Sequence, residues 1–215
     1  MRTNNFFVFE GPNGSGKSTI MKNVAKKLKK KYPDKEIICT REPGATKLGE
    51  KIRQLILKED VEISNLSNLL LFMADRADHY QFLEKYLNKE DIIILCDRFW
   101  ESTLVYQTID IKESKEKKKI LKNIKLLHRI TTNNLKPTAT FIITSDYPHG
   151  FNDQDKFDTK SKSFRERANI CYKTLSSCKM IDYPIELLDT TNKNWKHVES
   201  NIVKIINNLG GIGIG

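Results

Sequence analysis

The sequence predicts an α/β fold built on a parallel sheet, and three observations carry that prediction. Apolar runs of strand length alternate five times with longer stretches whose apolar residues recur every three or four positions. The run Asp91-Ile92-Ile93-Ile94-Leu95-Cys96 lacks polar alternation, as a parallel strand buried on both faces does. The first run, Phe6-Phe7-Val8-Phe9, leads through a glycine-rich turn straight into a helical pattern, and this strand is expected at the centre of the sheet.

That turn is the most chemically explicit stretch of the chain. Gly11, Gly16, Lys17 and Ser18 fill the pattern G-x-x-x-x-G-K-[ST], in which small residues let successive backbone N–H groups converge on phosphate oxygens at a helix N-terminus. Asn13, Gly14, Ser15, Gly16, Lys17, Ser18 and Thr19 are therefore the candidate ligands of a nucleotide's phosphates. Lys17 is expected to reach the terminal phosphates, and Ser18 to ligate the Mg2+ that bridges them.

The remaining elements follow in order. Ile20, Val24 and Leu28 recur at helical spacing, which predicts a helix over 18–31 that ends near Pro33. The second strand is expected over 36–40. Its exit, Arg41-Glu42-Pro43-Gly44-Ala45-Thr46, is a polar loop, and Leu48, Ile52, Leu55 and Ile56 mark a short helix behind it. Ligands bind at the carboxyl ends of strands in open parallel sheets, so Arg41 and Arg53 are candidate anion ligands.

A long helix is expected over 66–88. Phe72 and Arg76 lie one turn apart on one of its faces and pair a flat apolar ring with a planar donor fork, a combination suited to a nucleobase. The third strand ends in Asp97-Arg98-Phe99. An acid there is the usual second partner of a magnesium ion at a phosphate cradle. Arg98, where hydrolytic relatives of such sites often carry a second carboxylate, favours an anionic phosphoryl acceptor over water.

Residues 100–109 and 113–133 read as two helices, and 138–144 as the fourth strand. From 145 to about 162 the sequence is polar, with Pro148, Gly150 and several aspartates, as in a mobile lid. A helix through Phe164, Ala168, Cys171, Tyr172 and Leu175, a fifth strand over 183–188 and a helix carrying Val198, Ile202, Ile205, Ile206 and Leu209 complete the chain. The final 210–215 stretch is expected to fray.

Composition bounds the rest. A chain of 215 residues with 39% hydrophobic and 30% charged residues suits one domain, here 1–209. The net charge of +10 is concentrated in Lys-rich helical faces such as 26–31 and 115–119, which are solvated surfaces and attract anionic nucleotides rather than nucleic acid. The four cysteines form no C-x-x-C pair, which argues against a zinc site or a disulfide framework and for a reducing compartment. No apolar run approaches membrane-spanning length, so no membrane partner is expected. The expected location is the cytoplasm, or a host's cytoplasm for a viral source.

Taken together, Phe9-Glu10-Gly11 with the cradle, Thr40-Arg41-Glu42-Pro43-Gly44, Phe72-x-Ala74-Asp75-Arg76, Asp97-Arg98-Phe99 and Tyr106-Gln107 resemble the thymidylate kinase family in order and spacing, up to about Tyr172. The resemblance implies a three-layer P-loop kinase fold with sheet order 2-3-1-4-5, transfer of the ATP γ-phosphoryl group to dTMP with Mg2+, and a homodimer. It implies that Phe72 stacks on thymine, that Arg76 donates to its carbonyl edge, and that Thr103 and Gln107 complete base recognition. Tyr106 would lie under the sugar and Arg98, Arg53 and Arg41 would hold the acceptor phosphate, with Glu10, Asn13 and Pro43 also on the substrate side. Asp97 and Ser18 would organise magnesium.

The chain departs from the family's pattern at several positions. Asn13 replaces a usual acid, Ala45 a usual glycine, and Gly14 stands where one subtype has a catalytic arginine. The lid stretch Asp155-Lys156-Phe157-Asp158 offers Lys156 as the catalytic cation, with Arg165 and Arg167 as competitors, and 146–152 lacks the usual adenine-packing arginine. Three rival readings compete: a kinase for another deoxynucleoside monophosphate such as dUMP, a P-loop ATPase acting on nucleic acid, and an inactive nucleotide-binding protein.

Overall fold

The computed structural model describes residues 3–58, 60–146 and 162–210. Five strands, β1 Phe6–Glu10, β2 Glu36–Arg41, β3 Ile92–Asp97, β4 Ala139–Thr144 and β5 Ile185–Asp189, form a parallel sheet in the order β2-β3-β1-β4-β5. This is the expected order, with β1 central. Phe9 pairs with Asp97 on one side and Phe141 on the other, so the glycine-rich turn leaves the middle of the sheet level with the Asp97 carboxylate.

Seven helices accompany the strands among the described residues: α1 Lys17–Lys31, α2 Lys47–Leu57, α3 Asn65–Glu84, α4 Trp100–Tyr106, α5 Ser114–Thr131, α6 Lys162–Leu175 and α7 Trp195–Leu209. Successive residues of β1 point to opposite faces. Phe7 and Phe9 enter a core with Ile20, Val24, Phe141 and Ile202, beneath α1 and α7. Phe6 and Val8 enter another with Met73, Leu104, Ile124 and Tyr172, beneath α3 to α6. The result is three layers.

Several boundaries differ from the sequence expectation, and three of them have a local physical reason. Helix α3 stops at Glu84 instead of running to 88, because Asn5 intercepts the chain: its Nδ2 donates to the carbonyls of Tyr86 and Lys89, and its Oδ1 accepts from Asn88 N. Helix α4 ends at Tyr106 rather than 109, where the Thr108 hydroxyl donates back to the Leu104 carbonyl. Strand β5 begins at Ile185 rather than 183, since Pro184 has no N–H for the ladder and Tyr183 turns into the core. The expected lid, apart from residues 145, 146 and 162, and the tail beyond 210 lie outside the described residues.

Candidate active site

The carboxyl ends of β1, β2 and β3 open into a cleft of about 1180 Å³, walled by α2, α3 and α4. That exceeds the usual range for a single small ligand, about 300–1,000 Å³, and is room for two nucleotides meeting at their phosphates. Asn13, Gly14, Gly16, Lys17, Ser18 and Thr19 line one end. Arg41, Pro43, Arg53, Phe72, Arg76 and Arg98 line the other walls, together with Thr103, Tyr106 and Gln107 of α4.

The cradle's shape follows from its glycines. Gly11 has φ +143° and its Cα faces the Ile143 carbonyl, leaving no room for a side chain. Gly16 has φ +85° and caps α1, so the N–H groups of the first turn stay unpaired within the helix and can converge on an anion. Lys17 Nζ lies 3.9 Å from Asp97 Oδ1, and the Ser18 hydroxyl donates to Asp97 Oδ2 at 2.5 Å.

Asp97 Oδ1 is buried and accepts no hydrogen bond among the described residues. Two hard oxygen donors with spare capacity fit Mg2+. Among the described residues no group of three or more His, Cys, Asp or Glu could hold a metal. Such an ion would take its other ligands from phosphate and water, which is how Mg2+ is usually held in phosphoryl-transfer sites.

Arg98 follows Asp97 in the left-handed conformation, φ +73°, which a non-glycine residue adopts at a cost of about 1–3 kcal/mol. The turn swings its guanidinium across the cleft floor. Nη1 donates to Ser102 Oγ and Tyr172 Oη, each at 2.9 Å, Nη2 donates to Asn13 Oδ1, and the group lies 5.5 Å over the Tyr106 ring. Asn13 thus faces Arg98 as a neutral acceptor.

Arg76 is buried on α3. Its Nε donates to Glu42 Oε2 at 2.8 Å, and Nη2 to the Phe99 carbonyl at 3.1 Å and Thr103 Oγ1 at 3.0 Å. Phe72, one turn earlier, packs on Ile52, Ile56 and Leu57 of α2 and lines the cleft. Arg41 Nε donates to the Gly44 carbonyl at 3.4 Å and Arg53 Nη1 to the Pro43 carbonyl at 3.1 Å, so both arginines, expected as anion ligands, brace the β2–α2 loop while lining the cleft.

Two expected contacts do not line the cleft. Glu10 is fully buried beneath it, where its carboxylate accepts from Phe99 N at 2.7 Å, Ser102 N at 3.1 Å, Ser102 Oγ at 2.7 Å and Tyr172 Oη at 3.1 Å. Burial raises its pKa, against the nearby Arg98 charge. Its position makes it a support for α4 and Arg98 rather than a substrate contact. Ser15 is buried behind the cradle, and its Oγ has no partner among the described residues. Lys156 lies outside the described residues. Arg167 is ion-paired with Asp110 at 2.8 Å on the surface and does not line the cleft.

The sequence reading missed the groups that hold these side chains. Glu42 binds Arg76 and also His79 Nδ1 at 2.9 Å, and His79 Nε2 meets Thr40 Oγ1 at 2.8 Å. Asp75 Oδ1 accepts from Gly44 N at 2.8 Å and fixes the β2–α2 loop; burial first, then the Glu42 charge, raises its pKa to about 6. Tyr172 counted only as a core residue of a helical pattern, and Ser102 carried no signal.

A phosphate cradle with a facing carboxylate, joined through one cleft to an aromatic and arginine pair, defines a P-loop nucleoside monophosphate kinase. The family model described as Thymidylate kinase matches residues 9–202. The chain is 36% identical over 186 residues to the thymidylate kinase of Mycoplasma mobile, covering 82% of this chain and 86% of that protein. It is 32% identical over 223 residues to that of Trichodesmium erythraeum, covering 93% and 95%. The crystal structure of the thymidylate kinase from Ehrlichia chaffeensis superposes with a TM-score of 0.72 at 26% identity, covering 95% of this chain and 99% of that one. The chain belongs to the thymidylate kinase family.

Proposed function

We propose that this chain, acting as one domain over 1–209, transfers the γ-phosphoryl group of ATP to dTMP, giving dTDP and ADP. The observation that carries the reading is the joining in one cleft of the Lys17 and Ser18 cradle, facing Asp97, with Phe72 and Arg76. Phe72 stacks on the acceptor base, Arg76 and Thr103 donate to its edge with Gln107 beside them, and Tyr106 underlies the sugar. Arg98, with Arg41 and Arg53, holds the acceptor phosphate. Ser18 and Asp97 would hold Mg2+, which would supply positive charge to offset that of the transferring phosphoryl oxygens. Lys17 and Lys156 supply further positive charge, so transfer rests on alignment and charge neutralisation without a covalent intermediate.

The active form is a cytoplasmic homodimer. Leu66 and Leu70, one turn apart on α3, and Leu48 on the adjoining α2 are exposed, the kind of apolar surface a second copy covers. No helix among the described residues is long and apolar enough to cross a membrane.

The test is ADP release from ATP with each deoxynucleoside monophosphate in turn, and with DNA or RNA. The reading expects dependence on dTMP above dUMP and no stimulation by polymer. Preference for another monophosphate reassigns the base pocket, and stimulation by polymer overturns the kinase assignment. Sedimentation at several concentrations tests the dimer.

A further inference from the structure

Gly16 is the residue on which the cradle turns, and its outer side is occupied. A Cβ placed on it would lie 2.9 Å from Trp195 Cζ2 and 3.1 Å from Cζ3, and closer still to Cη2. The benzo edge of Trp195 therefore rests on the Gly16 Cα. Trp195 is the first residue of α7, which contributes no residue to the cleft lining. It reaches the cradle from outside.

The ring's seat is fixed from two sides. Along α7, Asn23 Nδ2 donates to Glu199 Oε1 at 2.7 Å, Lys27 pairs with Glu199 at 3.0 Å, and Val198 and Ile202 pack into the core shared with Ile20 and Val24, setting the register of α7 on α1. Ahead of α7, Thr190 N and Oγ1 both donate to the Thr144 carbonyl, at 2.8 and 3.0 Å, and Asn194 caps the helix by accepting from Lys196 N. A rigid helix start thus presses an aromatic edge against the glycine whose φ of +85° aims the following N–H groups.

We propose that Trp195 is a positioning residue for the donor's phosphates. It holds Gly16, and through it the N–H groups of Lys17 and Ser18, in the geometry that receives a polyphosphate. Without the indole, the loop can relax outward into the vacated volume. A displacement of about 1 Å in such a site is enough to cost up to about 10²-fold in rate. The inference rests on the reading of 11–19 as a phosphate cradle.

The experiment compares the parent protein with Trp195→Ala and Trp195→Phe. Calorimetric dissociation constants are measured for Mg-ATP, for inorganic tripolyphosphate with Mg2+ and for dTMP, alongside steady-state rates and thermal melts. Trp195→Ala is expected to weaken Mg-ATP and tripolyphosphate by a similar factor, about tenfold. Its dTMP affinity should stay within about twofold of the parent, and Trp195→Phe, which keeps a ring against Gly16, should recover most of the loss. Trp195→Phe also keeps the test alive if the alanine variant does not fold.

Three results would overturn the proposal: parental Mg-ATP affinity in Trp195→Ala, equal weakening of dTMP and ATP, or weakening of ATP without tripolyphosphate, which would put Trp195 against the donor base. Failure of the parent protein to bind either polyphosphate would instead sink the cradle assignment itself.

Discussion

Glu42 and Arg76 hold each other across the cleft wall, Oε2 to Nε at 2.8 Å, with both side chains buried and His79 Nδ1 on the other carboxylate oxygen at 2.9 Å. The pair orients the arginine. With Nε taken by Glu42 and Nη2 by Phe99 and Thr103, the guanidinium edge bearing Nη1, whose described contact is the Met73 sulfur at 3.7 Å, is set by the protein before any substrate arrives.

Replacing Glu42 by Gln leaves a buried cation without its counter-charge. Losing one partner of such a pair typically costs about 3–5 kcal/mol. Burial alone would raise the Glu42 pKa, but Arg76 and His79 outweigh it and lower it below 4.5. Its stabilisation is therefore present above about pH 4.5 and fades as pH falls through the lower folded value. Denaturant melts of Glu42→Gln should give a large loss at pH 7 that shrinks in acid, with weaker dTMP binding. A parental melt at pH 7 would contradict this.

Phe72 lines the cleft and packs on α2, and we propose that its ring serves the acceptor base. Phe72→Ala should raise the Michaelis constant for dTMP about tenfold or more, since base stacking on an aromatic contributes about 1–3 kcal/mol. The constant for ATP should change little. A rise confined to ATP would show the two nucleotides placed backwards.

We propose Lys156 as the cation beside the transferring group; its competitor Arg167 is paired with Asp110 at the surface. Lys156→Ala is expected to lower turnover with dTMP affinity retained, and Lys156→Arg to preserve or raise it, because arginine adds a bidentate fork. Arg167→Ala should turn over like the parent. The opposite pattern, an intact Lys156→Ala and a failed Arg167→Ala, would move the role to Arg167.

On α4, Glu101 is fully buried. Its Oε1 accepts from Thr140 Oγ1 at 2.7 Å and Tyr183 Oη at 2.8 Å, while Oε2 has no partner among the described residues. Burial, then the Glu10 charge, raises its pKa to about 7 from 4.5. The folded state therefore holds the proton more tightly than the unfolded chain does. The stabilisation is complete below about pH 4.5 and is lost as pH rises through 7, on the order of 3 kcal/mol. Glu101→Gln should flatten the decline in stability between pH 5 and 8 seen in denaturant titrations. An unchanged slope would rule out this titration.

Much of this was legible in the sequence because it depends on local pattern. Apolar periodicity and the turn at Gly11 to Ser18 carry the strand and helix alternation, and chain punctuation places Asp97 and Arg98 at a strand end. What could not be read was which distant side chains hold the site. Tyr172 and Glu10 are 162 positions apart and meet only after β1 and α6 pack through α4. The family resemblance placed Glu10 on the substrate side, and nothing local in the sequence shows that the folded chain buries it beneath the cleft. The hydrogen bonds of Asn5 that end α3 early are likewise contacts over more than 80 positions and leave no local trace.

The central claim is a transfer between two nucleotides, and following the phosphoryl group tests it directly. With ATP labelled at the γ position, the account predicts that label enters dTDP one for one with ADP formed and that little is released as inorganic phosphate. In folded Lys17→Ala protein the same transfer should fall by about 10²–10³-fold, as when one preorganised charge contact to a transition state is removed. Label released as inorganic phosphate at a rate indifferent to dTMP would contradict the account.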